Sequence, residues 1–510
     1  QGSSAATYMS GAVSNGDVVG VAVDCDNGKI FFADSNTWGD SGNPATGSNP
    51  AGTFTASDGW KPGFYGPGSP NGINLSLNFG QKTFSYTPPS GFSALSTSNL
   101  PAPAIAIPSE HFNPHIYTGS NNTNAITGVG FQPDLVWVKQ RDVAYNHQLH
   151  DAVRGAAAGL IMSDNNAGEN SGYPIASFDS DGFTPASANV TGLNTGSMVG
   201  WFWKAGGTAP SKTYVVKVVS DSGNKYRFDD FAASTQTVDL QEGGTYTFDQ
   251  SDSSNSGHPL RFSTTSNGSH GGGSEYTTGV TTSGTPGSAG AYTRITVAAS
   301  TATLYYYCTA HSGMGGQANT NSTYGSSYFD GDIKGTVSAN PTSGFSIVNW
   351  IPNGTASATI PHGLGVIPDM VFHKRYNTAS AWFCWTTAID GTDDYMVLSN
   401  TDAATAVTSA QSGGGTTHTS EFIRATNYGY NSGNNEVVSY CFASKEGFSK
   451  IGAYTGNGSV DGPMIVTGFR PAWVLIKDTT GSSNSWILFD SVRSPFNEVG
   501  LYLLPNSSAA

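Results

Sequence analysis

Charge is scarce in this sequence. Asp, Glu, Lys and Arg make up 11% of its 510 residues, less than half the roughly 25% of ordinary soluble domains. What charge there is leans acidic, with 36 carboxylates against 22 Lys and Arg and a formal net charge of −14. No basic stripe runs along any segment, so nucleic acid is excluded as an electrostatic partner. Long apolar runs are missing too. None approaches the roughly 20 residues that span a bilayer, so membrane insertion is not expected. Four cysteines cannot make a disulfide framework. Cys384 ("AWFCWTT") and Cys441 ("VVSYCFAS") pair only if their strands are neighbours; buried free thiols are the equal alternative.

Catalytic signatures are also absent. There is no G-x-S-x-G, H-E-x-x-H, phosphate loop or dinucleotide fingerprint. "FDSDGF" (178–183) and "YFDGDI" (328–333) read as Asp/Gly turns, and no segment suggests the facing carboxylates of a glycan hydrolase. The expectation is a non-enzyme.

What the chain has is glycine (65 residues), aromatics (12%) and short alternating strands between polar turns. That combination predicts an all-β protein, and the length predicts three to five domains. One motif recurs: "GVGFQPDLVWVKQRD" (128–142), "GLGVIPDMVFHKRYN" (363–377) and "VTGFRPAWVLIKDTT" (466–480). Pro133, Pro368 and Pro471 each precede a lysine, Lys139, Lys374 and Lys477, at one constant spacing. "HQLHDAVRG" (147–155) matches "WILFDSVRS" (486–494), and "MVGWFWK" pairs with "VVSYCFA" as a closing strand. Each copy is expected to be a β-sandwich of about 100 residues, over 108–207, 343–446 and 447–510, the last incomplete. Lys139, Asp151 and Arg154, like Lys477, Asp490 and Arg493, read as an ion-paired network holding the strands of each unit. The middle copy has Thr386 where the Asp would fall.

On these motifs the repeat resembles a domain recurring in virion proteins of tailed bacteriophages, marine and cyanophage-like ones above all. The resemblance implies a tail-fibre or capsid-decoration protein at the virion surface, partnered by other virion proteins and by a host cell-surface glycan or protein. Tandem weak modules predict a homo-oligomer that gains avidity. Residues 1–104 are similar to the later part of a SPRY domain, a protein-binding β-sandwich. "GDVVGVAVDCDNGKIFFADSNTW" (16–38) reads as a hairpin around "DNG" and "LNFGQKTFSYTPPSGFSAL" (77–95) as the closing strand, with the front of that domain missing.

Residues 211–318 form a separate unit ending in "YYYCTAHSGMGG" (305–316). Alternation points Leu304, Tyr306 and Cys308 to one face and Tyr305 and Tyr307 to the other. The C-x2-H-x2-M loop offers a thiolate, an imidazole and a soft thioether in one turn. His258, at the start of "HPLRFS", can supply a second imidazole. Two His, one Cys and an axial Met are the ligand types of blue-copper centres. The segment resembles a cupredoxin, which implies copper held by His258, Cys308, His311 and Met314, with Asn255 reaching across to fix the Cys loop. Two alternatives stay open: the same fold with an empty site, and a zinc site recruiting His270 in place of Met314. A secreted cellular copper protein with adhesion modules is the alternative to a virion protein.

Overall fold

The computed structural model describes the whole chain except residues 1–13, 15, 56–75, 97–98, 100–102, 173, 188–191, 207–209, 321–324, 356, 408–417, 425–434, 460–461 and 482. The protein is all-β, in sandwich-like modules of mainly antiparallel sheets, as the patterning predicts. Among the described residues the only helices are single 3-10 turns, and none is long and apolar enough to cross a membrane. The chain divides into two compact units, 1–103 and 104–510.

In the first unit, strands Val19–Asp24 and Lys29–Asp34 pair antiparallel from Val19↔Asp34 to Asp24↔Lys29, closing on the expected "DNG" turn. Segment 77–95, expected as a closing strand, contains only bends and turns. Local side chains explain the difference. Asn78 accepts from the N–H groups of Gly80 and Lys82, and Gln81 from that of Phe79, so the backbone curls on itself instead of offering a ladder.

In the second unit the repeated motif becomes a repeated hairpin. Leu135–Gln140 pairs with Gln148–Asp151, Met370–Arg375 with Phe383–Thr386, and Trp473–Ile476 with Ile487–Asp490. The register is the same in all three: Leu135↔Asp151, Met370↔Thr386, Trp473↔Asp490. In copies 1 and 2 the closing strand lies on the far edge, with Leu135↔Trp203 and Met370↔Phe442. Among the described residues of copy 3, Trp473–Ile476 pairs only with Ile487–Asp490.

Each hairpin has an outer and an inner face. Outer residues build local cores, around Val136, Val138, Phe178 and Phe202 in copy 1 and around Val371, Trp350, Trp385 and Cys441 in copy 2. Inner residues from all three copies meet in one shared core, including Trp137, Leu149 and Trp201, then Phe372, Trp382 and Tyr440, then Trp486, Leu488 and Leu503. Cys384 faces this shared core and Cys441 the local one, which is why both are buried free thiols.

The copies are therefore joined in a ring, and equivalent groups make equivalent bonds around it. Trp382 Nε1 of copy 2 donates to the Met162 carbonyl of copy 1 at 2.7 Å. Trp486 Nε1 of copy 3 donates to the Val397 carbonyl of copy 2 at 3.0 Å. His147, their counterpart in copy 1, faces the Leu504 backbone of copy 3. Met162, Val397 and Leu504 hold one equivalent position. The aspartates interlock likewise: Tyr440 Oη donates to Asp151 at 2.9 Å, and Trp201 Nε1 to Asp490 at 3.2 Å.

The expected network is thereby corrected in two respects. Asp151–Arg154 and Asp490–Arg493 are ion pairs at 2.6 Å, but each also accepts a bond from another copy. The repeat lysines do not join them. Lys139 donates to the carbonyls of Gln140 and Ser508, Lys374 to that of Ser380, and Lys477 to those of Thr401 and Asn484. Burial pulls Lys139 and Lys374 down to about 8.

Between copies 1 and 2 sits an inserted two-sheet module. One sheet contains Ser211–Ser220, Asn224–Phe228, Thr245–Asp249, Val280–Ser283 and Tyr292–Thr296; the other contains Val238–Asp239, Leu260–Ser263, Leu304–Cys308 and Gly316–Asn319. Their facing residues share one core rich in Tyr and Phe.

Candidate metal centre

Strand Leu260–Ser263 pairs antiparallel with Leu304–Cys308, and Leu260 lies opposite Cys308. His258 stands two residues ahead of that position and His311 three residues beyond Cys308. Register thus brings His258 to the thiol, and the turn beyond the strand brings His311. Cys308 Sγ lies 3.8 Å from His258 Nδ1 and 3.9 Å from His311 Nδ1. The three ligand atoms all fall within 4.8 Å of one another, and the two rings are 4.5 Å apart, centroid to centroid.

These distances can be tested against coordination. Bonds of about 2.3 Å to sulfur and 2.0–2.1 Å to nitrogen, meeting at about 120°, set sulfur and nitrogen about 3.8 Å apart. Both sulfur–nitrogen pairs already hold that spacing, so a first-row metal ion fits between the thiol and each imidazole. Burial, followed by the neighbouring His311, holds His258 below the usual histidine range, the direction that favours the neutral ring a metal ion needs. Met314 is buried in the same core as Cys308, and its carbonyl accepts from the Tyr226 N–H. Cys308 is fully buried, whereas His311 is exposed.

Two sequence expectations about the surroundings are corrected. Asn255 does not reach the Cys loop: both its amide hydrogens are used, on the carbonyls of Val216 (2.7 Å) and Asp252 (3.1 Å). It braces the neighbouring strand instead. His270 is outside the cluster of three ligands; its Nε2 sits 3.1 Å from the Cys308 carbonyl oxygen. That contact makes it a support of the loop, not the fourth donor of a zinc site.

Sequence reasoning missed the loop's other supports. Asn267 donates to Ser312 Oγ and accepts from the Gly313 N–H, both at 2.8 Å. The one-turn helix that follows, Gly268–Gly271, covers Tyr307, which is why Tyr307 is buried although it faces away from the core. A Cβ on Gly268 would come within 2.5 Å of that ring, and the backbone there has φ +54°, so glycine is required. The Tyr226 hydroxyl and Gln250 Nε2 both donate to the His258 carbonyl at 2.8 Å. The Asn-Gly pair inside "TTSNGSHGGGS" was the available signal for this turn.

The family model described as a domain of unknown function, DUF7483, matches residues 107–227 and 307–510, well over half the chain. It covers the three hairpin repeats, together with Cys308, His311 and Met314, and leaves out the stretch with His258 and the Asn267–Gly271 turn. No curated protein and no solved structure matches the chain.

Proposed function

The chain belongs to the family described as the domain of unknown function DUF7483; we propose that it is a non-enzymatic virion-surface protein for host attachment, carrying one copper ion in its inserted module. One observation carries the metal half of this reading: Cys308 Sγ faces two Nδ1 atoms at 3.8 and 3.9 Å, the spacing of a bound ion. His258, Cys308 and His311 would form the trigonal set, with Met314 as the soft axial donor. The thiolate matters most, because its covalent bond to copper gives the centre its affinity and colour. When bound, copper supplies one-electron exchange, or a cross-link between two strands and a loop.

The attachment half is supported by the resemblance of the repeats to virion proteins and by the ring itself. Three copies locked through a common core make a rigid platform, and rigid platforms with variable loops suit surface recognition. In this reading the partners are other virion proteins and a host-surface glycan or protein, with avidity from a homo-oligomer.

The metal is tested by adding Cu(II) to the full chain. An intense visible charge-transfer band is expected; Cys308→Ser should abolish it, and Met314→Leu should keep it with a shifted potential. A colourless wild-type protein refutes the copper assignment. The setting is tested by labelling purified phage particles with antibody to the chain, and unlabelled particles refute the virion assignment.

A further inference from the structure

A cavity of about 380 Å³ opens where copy 1, copy 2 and the inserted module meet. Copy 1 contributes Arg154 and Glu169, copy 2 contributes Asn349, Tyr376 and Glu436, and Asp239 with Thr336 closes one side. The volume is at the small end of ligand pockets, which run from about 300 to 1,000 Å³.

The hydrogen-bonding capacity left over on these walls is mixed. The Arg154 side chain is 2% exposed; its Nε bonds Asp151 and its Nη1 bonds Glu169 and the Gly159 carbonyl, while Nη2, which has no partner, is buried behind the wall and not presented to the cavity. Asn349 accepts the Tyr376 hydroxyl at 3.1 Å through Oδ1, which leaves its amide N–H groups to donate. The Glu436 carboxylate and the second oxygen of Glu169 remain as acceptors. Asp239 offers nothing, because its oxygens already take bonds from Asn319, Ser327, Lys334 and Thr336.

Charge narrows the ligand class. An anion would meet Glu169 and Glu436 and only one cation, Arg154, already matched by Asp151. A metal ion would need clustered donors, and among the described residues the only such cluster is His258, Cys308 and His311. Nor could a cation accept from Asn349. A neutral polyol both donates and accepts, and so matches the Asn349 amide together with the Glu169 and Glu436 carboxylates.

We propose that this cavity binds a neutral sugar ring, one or two hexopyranose units of a surface glycan. The assignment deepens the attachment reading by naming its ligand class, and it stands on the cavity, not on the metal centre.

The test uses the full chain, saturation-transfer NMR and calorimetry. The probes are the methyl glycosides of glucose, galactose, mannose and N-acetylglucosamine, with N-acetylneuraminic acid as the anionic comparison. At least one neutral glycoside should bind, and Glu436→Gln and Asn349→Ala should each weaken it about tenfold or more, the effect of leaving a sugar hydroxyl without its partner. Glu436 is half-buried without a side-chain bond, so its replacement leaves the fold intact, and an unchanged far-UV circular dichroism spectrum and urea midpoint would confirm this. Failure of all four glycosides, indifference to both substitutions, or tighter binding of N-acetylneuraminic acid would overturn the proposal. Absent sugar binding with labelled particles sinks the cavity assignment alone; unlabelled particles with retained sugar binding sink the virion assignment alone.

Discussion

Tyr440→Phe and Asp151→Ala, made singly and together, decide whether the repeats form one closed ring or separate modules. Tyr440 is 2% exposed and Asp151 1%, and their hydrogen bond spans 289 residues at 2.9 Å. Burial, reinforced by Asp151, keeps the Tyr440 phenol protonated and donating. Removing the hydroxyl deletes one bond to a charged acceptor, worth about 1.5–3 kcal/mol. Asp151→Ala is harsher: the Arg154 guanidinium loses its 2.6 Å partner in a buried site, at a cost of about 3–5 kcal/mol. In the double variant the hydroxyl has no acceptor left to lose, so a coupling energy of about 1.5–3 kcal/mol should appear. Urea unfolding, followed at once by far-UV circular dichroism and tryptophan fluorescence, measures it. Coincident transitions with that coupling are expected. A coupling below about 0.5 kcal/mol, or separate transitions for the two copies, would refute the closed ring.

Gly268→Ala should cost about 2–3 kcal/mol, because the new methyl meets the Tyr307 ring at 2.5 Å on a left-handed backbone; an unchanged urea midpoint would contradict the packing described for that turn. His373→Gln tests pH dependence. Burial, then the nearby His418, lowers His373 from 6.5 to about 3, so the unfolded chain gains a proton below pH 6.5 that the folded chain refuses. Its contribution is intact above pH 6.5 and drains away towards pH 3, about 3 kcal/mol by pH 4. Asp134, raised by burial to about 7, acts in the opposite sense, so the readout is the difference between variant and wild type. That difference should move towards the variant by about 2–3 kcal/mol between pH 7 and pH 4, and a constant difference would refute the assignment.

The hairpins were legible because their signals are local. Proline, alternating apolar residues and lysine recur at one spacing, and the register followed. The candidate His258–Cys308–His311 cluster was legible for a related reason: Cys308 and His311 lie three residues apart, and His258 stands just ahead of the strand that pairs with the one ending in Cys308. Ring closure was not legible. The partners of Asp151 and Asp490 are Tyr440 and Trp201, each 289 residues away, and alternation shows that a strand has two faces without showing what each face meets. Thr386 becomes intelligible only in the ring. Its hydroxyl bonds the Asp369 carbonyl at 2.7 Å inside copy 2, so this one of the three equivalent sites carries no interlocking carboxylate. Asn255 failed as a guess because an Asn before a ligand can brace either neighbour, and the carbonyl of Val216 came within its reach.

Asp239 explains how a module can be inserted into the ring without hanging loose from it. It lies on a short strand beside Gly316–Asn319, which pairs in turn with Leu304–Cys308, so two steps across the sheet lead to Cys308 of the candidate cluster. Its carboxylate takes Lys334 Nζ at 3.2 Å and Thr336 Oγ1 at 2.8 Å from the strand entry of copy 2. Burial pushes this carboxyl up, but Lys334 together with Asn319 and Thr336 more than offsets that and holds it below the usual range. The segment between the two bodies is likewise shared. Ser326–Tyr328 pairs with the copy 2 strand Gly335–Asn340, yet Tyr214 bonds its Ser327 carbonyl, Tyr246 bonds Ser326, and Phe329 packs into the core of the inserted module. Asp239 and Thr336 also wall the cavity. Metal loop, cavity and ring are thus fixed in mutual position by one buried carboxylate and one shared strand. Fixed position is not energetic coupling, which needs an element with two arrangements that both sites bias. The inserted module is therefore rigidly mounted, its His311 edge exposed and its orientation set by the ring that carries it.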